Sequence, residues 1–293
     1  MQYRLWQVVS AIVQRMPLRA SYAVATVIGV AAFYGWPRGR RALARNYGHV
    51  LREASPAERR RVARRSLVNY CKYLADFARF PALSAEDLRA RVKGEETWRS
   101  LDGALARGRG AIMVCTHFGN WDLGAGAAAA RGYSVAVVAE TFADARLDGM
   151  VVASRRRLGV RVLKMERAAP SIVRTLRNNG LLALLIDRPM AGDGVRVRFF
   201  GEEVEVPAGP ARLALATGAA VVPAALPRID QNGPEVATLA DFTVTAVRTG
   251  DSEADVRALT QQIMDAHERF IRRYPDQWYM FREMWPAPRA GKG

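Results

Sequence analysis

AIMVCTHFGNWDLGAGAAAA, residues 111–130, is the stretch on which the fold turns. Five apolar residues (111–115) are too few for a buried helix and fit a strand covered on both faces. A polar loop follows, and then an Ala-rich run over 121–131 that favours a helix. Strand, loop and helix in that order are the unit from which α/β sheets are assembled.

Reading outward, the unit recurs. SVAVVA (134–139), VRVL (160–163), LLALLI (181–186) and AVVPAAL (220–226) are predicted strands. Helices are predicted over 95–107, 144–158, 169–178 and 209–217, the last two ending at Asn179-Gly180 and Gly218. VRVRFF (195–200) and EEVEV (202–206) flank Gly201 as a hairpin, and 236–247 alternates like one more strand. A long amphipathic helix is predicted over 252–273, and the tail after Pro286 is expected to fray. The fold class is α/β, a mixed sheet flanked by helices, with a helical N-terminal extension.

In that extension Leu5, Val8, Val9, Ile12, Val13 and Met16 recur at helical spacing. Residues 20–36 then carry no charge. As a helix these seventeen residues reach about 25 Å, short of the roughly 20 residues a span takes. The segment reads as an interfacial or shallowly inserted helix, or as a helix packed on the protein's own core. Arg38, Arg40, Arg41 and Arg45 follow directly, placed to meet anionic headgroups. Residues 1–50 are therefore set apart as membrane-associating helices and 51–293 as the main domain. Ser55-Pro56-Ala57-Glu58 is a helix start, with Ser55 as cap, Pro56 in first position and Glu58 closing a capping box. That helix should run to Phe80, before Pro81.

The formal charge of +16 is concentrated. Residues 1–100 hold 19 Lys or Arg against 7 Asp or Glu, a net of +12. Basic residues flanking long apolar stretches fit an anionic membrane surface. No nucleic-acid-binding motif accompanies them. Cys71 and Cys115 suggest neither a disulfide framework nor a metal site, and point to a reducing, cytosol-facing environment. Arg4 and Arg15 interrupt the apolar start, so no cleavable signal peptide is expected.

Chemistry concentrates just past the first strand. His117, one of three histidines, opens a loop, and Asp122 begins the next helix. With Gly119 allowing a tight turn, the Asp122 carboxylate is expected to accept the proton on one imidazole nitrogen and leave the other as a base. A structural hydrogen bond or a helix cap by Asp122 is the plainer alternative. There is no Gly-x-Ser-x-Gly elbow, and Cys115 reads as a buried small hydrophobe. A base without its own nucleophile suits direct attack by a substrate hydroxyl.

HFGNWD (117–122) resembles the His-x4-Asp motif of the bacterial lipid A late acyltransferases and the related phosphatidylinositol mannoside acyltransferases. Further blocks resemble theirs in order: Val138-Ala139-Glu140, Arg155 to Gly159, Ile186-Asp187-Arg188, Phe199-Phe200-Gly201-Glu202 with Pro207 to Ala211, and Tyr274-Pro275-Asp276-Gln277-Trp278. The Ala-Glu, Asp-Arg and Ala-Gly-Pro-Ala details are closer to the mannoside branch.

The resemblance implies a glycerol-3-phosphate-acyltransferase-like fold. It implies transfer of a fatty acyl group from acyl-CoA or acyl carrier protein to a hydroxyl of a membrane glycolipid, at the cytoplasmic face of the bacterial inner membrane. No cofactor and no metal is called for; the acyl donor is a co-substrate. His117 is then the base and Asp122 its orienter. Arg155 stabilises charge or meets a headgroup, with a solvated helix charge as the alternative, and Glu140, at a strand end, pairs with Arg155 or the histidine or is a simple surface carboxylate. Asn120, Arg188 and Glu202 are candidate substrate contacts, and Asp187 and Arg188 are expected to structure the site floor. Trp121, Trp278 and Trp285 read as core, and His49 and His267 as surface or packing residues. A non-catalytic lipid-binding module and an acyl thioesterase are the rival readings.

Overall fold

The computed structural model describes residues 2–188 and 194–285; the tail after Pro286 lies outside the described residues. The apolar periodicity of the N-terminus forms α1 (Gln2–Arg15), with Leu5, Val8 and Ile12 exposed. The uncharged stretch forms α2 (Leu18–Gly35). Ser21, Tyr22, Ala25, Gly29 and Phe33 make its buried stripe, while Val24, Val27 and Ile28 face outward. By length and composition α2 is the one candidate span among the described residues, consistent with membrane association. The four arginines after it lie on α3 (Pro37–Val50), where Arg45 pairs with Glu283 at 2.6 Å.

Ser55 caps α4 (Pro56–Arg79) by accepting from the Glu58 amide at 3.2 Å. The Glu58 carboxylate turns to Arg61, 3.1 Å away, so only half of the expected capping box forms. The reciprocal box is made by Ser84 and Asp87 at the start of α5 (Ala85–Arg91), a short helix the apolar pattern does not announce. The short β1 (Val92–Lys93) and α6 (Glu95–Leu105) lead into the sheet.

The repeating unit folds as expected: β2 (Ala111–Cys115), α7 (Trp121–Ala130), β3 (Val135–Ala139), α8 (Ala145–Arg157), β4 (Arg161–Lys164), α9 (Ala169–Arg177) and β5 (Leu181–Leu185). The hairpin β6 (Gly194–Phe199) and β7 (Glu202–Pro207) is followed by α10 (Gly209–Thr217) and β8 (Ala220–Ala225). The strand expected over 236–247 shrinks to two-residue β9 (Val236–Ala237) and β10 (Leu239–Ala240). Beyond it, side chains satisfy the backbone: Asp241 accepts from the Thr243 amide at 2.8 Å, and Gln262 of α11 (Ser252–Arg273) from the Thr245 amide at 3.2 Å. With those donors taken, no ladder forms there.

The main sheet has the order β10-β8-β2-β5-β3-β4, parallel except for β10. Ile112 and Val114 point into one core, with Phe199, Ile263 and Trp278; Ala111 and Met113 point into another, with Tyr73, Phe80 and Leu123. Alternate residues of a strand face opposite sides, so both sides of the sheet are covered. β2 sits centrally, between β5 and β8. The loop at its C-terminal end therefore opens where open α/β sheets hold their ligands.

Candidate active site

β2 and β5 pair in register, Cys115 opposite Leu185. Two residues beyond each lie His117 and Asp187, side by side because the strands are neighbours. The Asp187 carboxylate accepts from His117 twice: the backbone amide reaches Oδ2 at 2.9 Å, and Nδ1 lies 2.7 Å from Oδ1. Trp278 Nε1 donates to Oδ2 as well, at 3.1 Å. Burial pushes the fully enclosed Asp187 carboxyl up, but the charge and hydrogen bonds of His117 and the Trp278 indole outweigh it, and the net shift is downward. An ionised carboxylate only accepts, so the nitrogen facing it, Nδ1, carries a proton, and in the neutral ring that leaves Nε2 as the acceptor.

The imidazole's partner is thus Asp187 and not, as the spacing suggested, Asp122. Asp122 stands in the first turn of α7, aimed sideways at α4 and α8. It accepts from Tyr73 Oη at 2.7 Å and from Arg155 Nε at 2.7 Å and Nη2 at 3.3 Å. Burial opposes the Arg155 charge, but Asp122 more than offsets it and keeps the guanidinium protonated. Arg155 is therefore engaged by Asp122, while Glu140 stands exposed at the end of β3.

The loop between the two carboxylates is held by its backbone. Tyr279 N donates to the His117 carbonyl at 2.7 Å, Gly119 N to the Gln277 carbonyl at 2.9 Å, and Asn120 N to the Leu226 carbonyl at 2.8 Å. Gly119 has φ +61°, and a Cβ there would lie 1.9 Å from the Leu226 carbonyl oxygen, so only glycine fits.

His117 opens on a cavity of about 410 Å³. His117, Asp122, Glu140, Arg155 and Arg188 line its polar part. Val137, Val138, Leu184, Ile172, Met165 and Leu213 line the rest. A small cluster of polar groups over an apolar recess is the usual form of a ligand site. Trp121, expected in the core, borders this cavity edge-on to His117, with ring centres 5.4 Å apart. Cys115 also lines it, but burial, reinforced by Asp187, pushes its thiol up to about 12, so it is no thiolate nucleophile near neutral pH. A second hollow of about 450 Å³, between α6 and the end of α11, shares none of these residues.

The profile of the bacterial lipid A biosynthesis acyltransferases matches residues 2–286. The chain belongs to that family. This acyltransferase is 31% identical over 270 residues to the phosphatidylinositol mannoside acyltransferase of Mycolicibacterium smegmatis, covering 89% of this chain and 84% of the relative. It is 30% identical over 266 residues to the protein of the same name from Mycobacterium tuberculosis, covering 88% and 80%. Its work lies in lipid or glycolipid biosynthesis.

Two candidates of the acyltransferase lie outside the cavity wall. Asn120 is buried as the N-cap of α7; its Oδ1 accepts from Leu123 N and its Nδ2 donates to Asp76 at 3.0 Å. Glu202 is exposed on the hairpin, paired with Arg52 at 2.8 Å. Sequence reasoning missed Asp187 as the histidine's partner. The sequence signals only that Asp187 needs a partner, since a carboxylate directly after the apolar LLALLI is costly unless paired; it does not say which group supplies it. Nothing in the sequence marked Tyr73.

Proposed function

We propose that this acyltransferase moves a fatty acyl chain from a thioester donor, acyl-CoA or acyl carrier protein, to a hydroxyl of a mannosylated phosphatidylinositol-like glycolipid. The observation that carries the proposal is His117, fixed by Asp187, at the polar end of an otherwise apolar cavity. In this reading Nε2 takes the proton of the acceptor hydroxyl as its oxygen attacks the thioester carbonyl carbon. The tetrahedral oxyanion collapses, the C–S bond breaks, and the proton passes from the imidazole to the departing sulfur. Asp187 orients the ring and stabilises the transient imidazolium.

Arg155, kept charged by Asp122, offers positive potential to the oxyanion. Arg188 meets a phosphate, and Glu140 accepts from a sugar hydroxyl at the rim. The apolar recess takes the acyl chain, at roughly 0.8 kcal/mol for each buried methylene. Residues 1–50 set the mouth at the cytoplasmic face of the inner membrane, with α1 and the outer side of α2 against lipid. The relatives' names support the choice of acceptor.

The test uses the full chain on phosphatidylglycerol vesicles carrying phosphatidylinositol mannosides, with palmitoyl-CoA as donor. Mass spectrometry should find the acceptor heavier by one palmitoyl group. His117→Gln should slow transfer by about 10²–10⁴-fold, the span of general-base catalysis. Full transfer by that variant would remove His117 from the chemistry.

A further inference from the structure

Helix α2, the candidate membrane helix, is joined by buried polar contacts to the loop that carries His117. Tyr22 Oη donates to Asp76 Oδ1 at 2.6 Å and accepts from Arg228 Nη1 at 2.7 Å. Asp76 Oδ2 is ion-paired with Arg228 and accepts from Asn120 Nδ2 at 3.0 Å. Asn120 lies three residues after His117. A second connection leaves the same arginine: the Gln277 side chain brackets its backbone, accepting from Arg228 N at 2.7 Å and donating to Arg228 O at 2.9 Å. The Gln277 carbonyl in turn receives the Gly119 amide. All five side chains are at least 95% buried.

We infer that Tyr22 is a positioning residue of the active site, so that α2 is a fixed part of the catalytic scaffold as well as a lipid-facing helix. This rests on the reading of His117 as the base. Asp187 holds the histidine from one side; the Asp76 cluster holds the loop behind it from the other. Without the tyrosine hydroxyl, Asp76 Oδ1 has no donor and Arg228 loses one acceptor. The shared carboxylate can then turn, and Asn120 moves with it.

The same contacts fix how the helix meets the bilayer. α2 lies against α4 so closely that a Cβ on Gly29 would come within 2.6 Å of Val68 Cα. Farther along α4, Lys72 lies over the Tyr22 ring and Asp76 bonds to its hydroxyl. To cross a membrane, α2 would have to leave α4, or draw Lys72 and the Asp76–Arg228 pair in with it, and charge within a bilayer is costly. α2 therefore lies along the surface, with Val24, Val27 and Ile28 toward lipid and Tyr22 toward the site.

The test follows thiol release from palmitoyl-CoA on the mannoside-bearing vesicles, with rates normalised to the folded fraction measured by near-ultraviolet circular dichroism. Tyr22→Phe removes one oxygen and keeps the ring. It should lower kcat about tenfold, since small misplacements of a catalytic group are expensive, with KM for palmitoyl-CoA changed less than twofold and vesicle flotation unchanged. Asn120→Ser keeps a capping oxygen but deletes the donor to Asp76, and should lower kcat similarly. Because the two residues act through one carboxylate, the double variant should lose far less than the product of the single losses. A merely structural role would reduce the folded fraction and leave kcat per folded molecule intact. Full kcat in both single variants, or strictly multiplicative losses, would overturn the inference while leaving the base in place. Transfer by His117→Gln at the parental rate would instead bring down the reading of the base itself.

Discussion

Two carboxylates flank the loop that carries His117, and they differ in what brings each one there. Asp122 is five positions from His117 in the chain yet bonds to Arg155 and Tyr73; Asp187 is seventy positions away and holds the imidazole. Asp122 is carried on a helical first turn, whose side chains splay toward neighbouring helices. Asp187 is carried on the strand next to that of the histidine, at the matching register position. In a parallel sheet, residues at equal offsets beyond paired strand ends are lateral neighbours. Strand pairing thus decides partnership here, and chain distance does not.

The sharpest way to break that comparison is to neutralise each carboxylate in turn. Asp187→Asn should lower kcat by roughly 10³–10⁴-fold with little change in donor KM, because the amide no longer fixes the Nδ1–H tautomer. Asp122→Asn should cost less in kcat, about 10–100-fold, but more in stability. It leaves the mostly buried Arg155 without its countercharge, a loss of about 3–5 kcal/mol for a broken buried pair. Steady-state kinetics and urea unfolding read the two quantities separately. If Asp122→Asn proved the more damaging to kcat, the assignments would be reversed.

A finer distinction lies in acid sensitivity. His267, fully buried on α11, interacts with Asp187; burial pushes its imidazole down to about 4, which Asp187 and the Val114 backbone only partly offset. Between the ordinary histidine value of 6.5 and about 4, the unfolded chain binds the extra proton and the folded chain does not. Stability from this group is complete above about 6.5 and drains away as the pH falls toward 4, by on the order of 3 kcal/mol. Chemical denaturation of His267→Leu across that range should give a visibly flatter pH dependence than the parent. An unchanged slope would locate the acid sensitivity elsewhere.

The smallest effect belongs to Glu202. Its pair with Arg52 is exposed, so Glu202→Gln should change stability by less than about 1 kcal/mol. Acyl transfer should stay within about twofold of the parent, because that side chain does not border the cavity. A larger drop in transfer would bring the hairpin back to the site.

Much of this is legible in the amino-acid sequence. Strand 111–115, the helices over 209–217 and 252–273 and the hairpin about Gly201 follow from period, length and turn chemistry, all local properties. His117 stood out because a polar loop past an apolar strand is a recognisable place for chemistry. The identity of its partner was not legible, because it depends on β5 inserting between β2 and β3, a pairing no local pattern encodes. Residues 236–247 failed for a related reason: their alternation is real, but Asp241 and Gln262 take up backbone groups a ladder would need. Asn120 looked like a substrate contact because it sits in the motif, yet helix capping and Asp76 consume its amide.

Phe33 of α2, together with Leu43, Tyr47 and Val50 of α3, belongs to the same packed interior as Phe199 and Trp278. The protein therefore cannot be trimmed at its N-terminus into a freely soluble version: the cut that removes the greasy exterior of Val27 and Ile28 also takes out interior volume from beneath the sheet. Stickiness and foldedness are inherited together, on opposite sides of the same eighteen-residue helix.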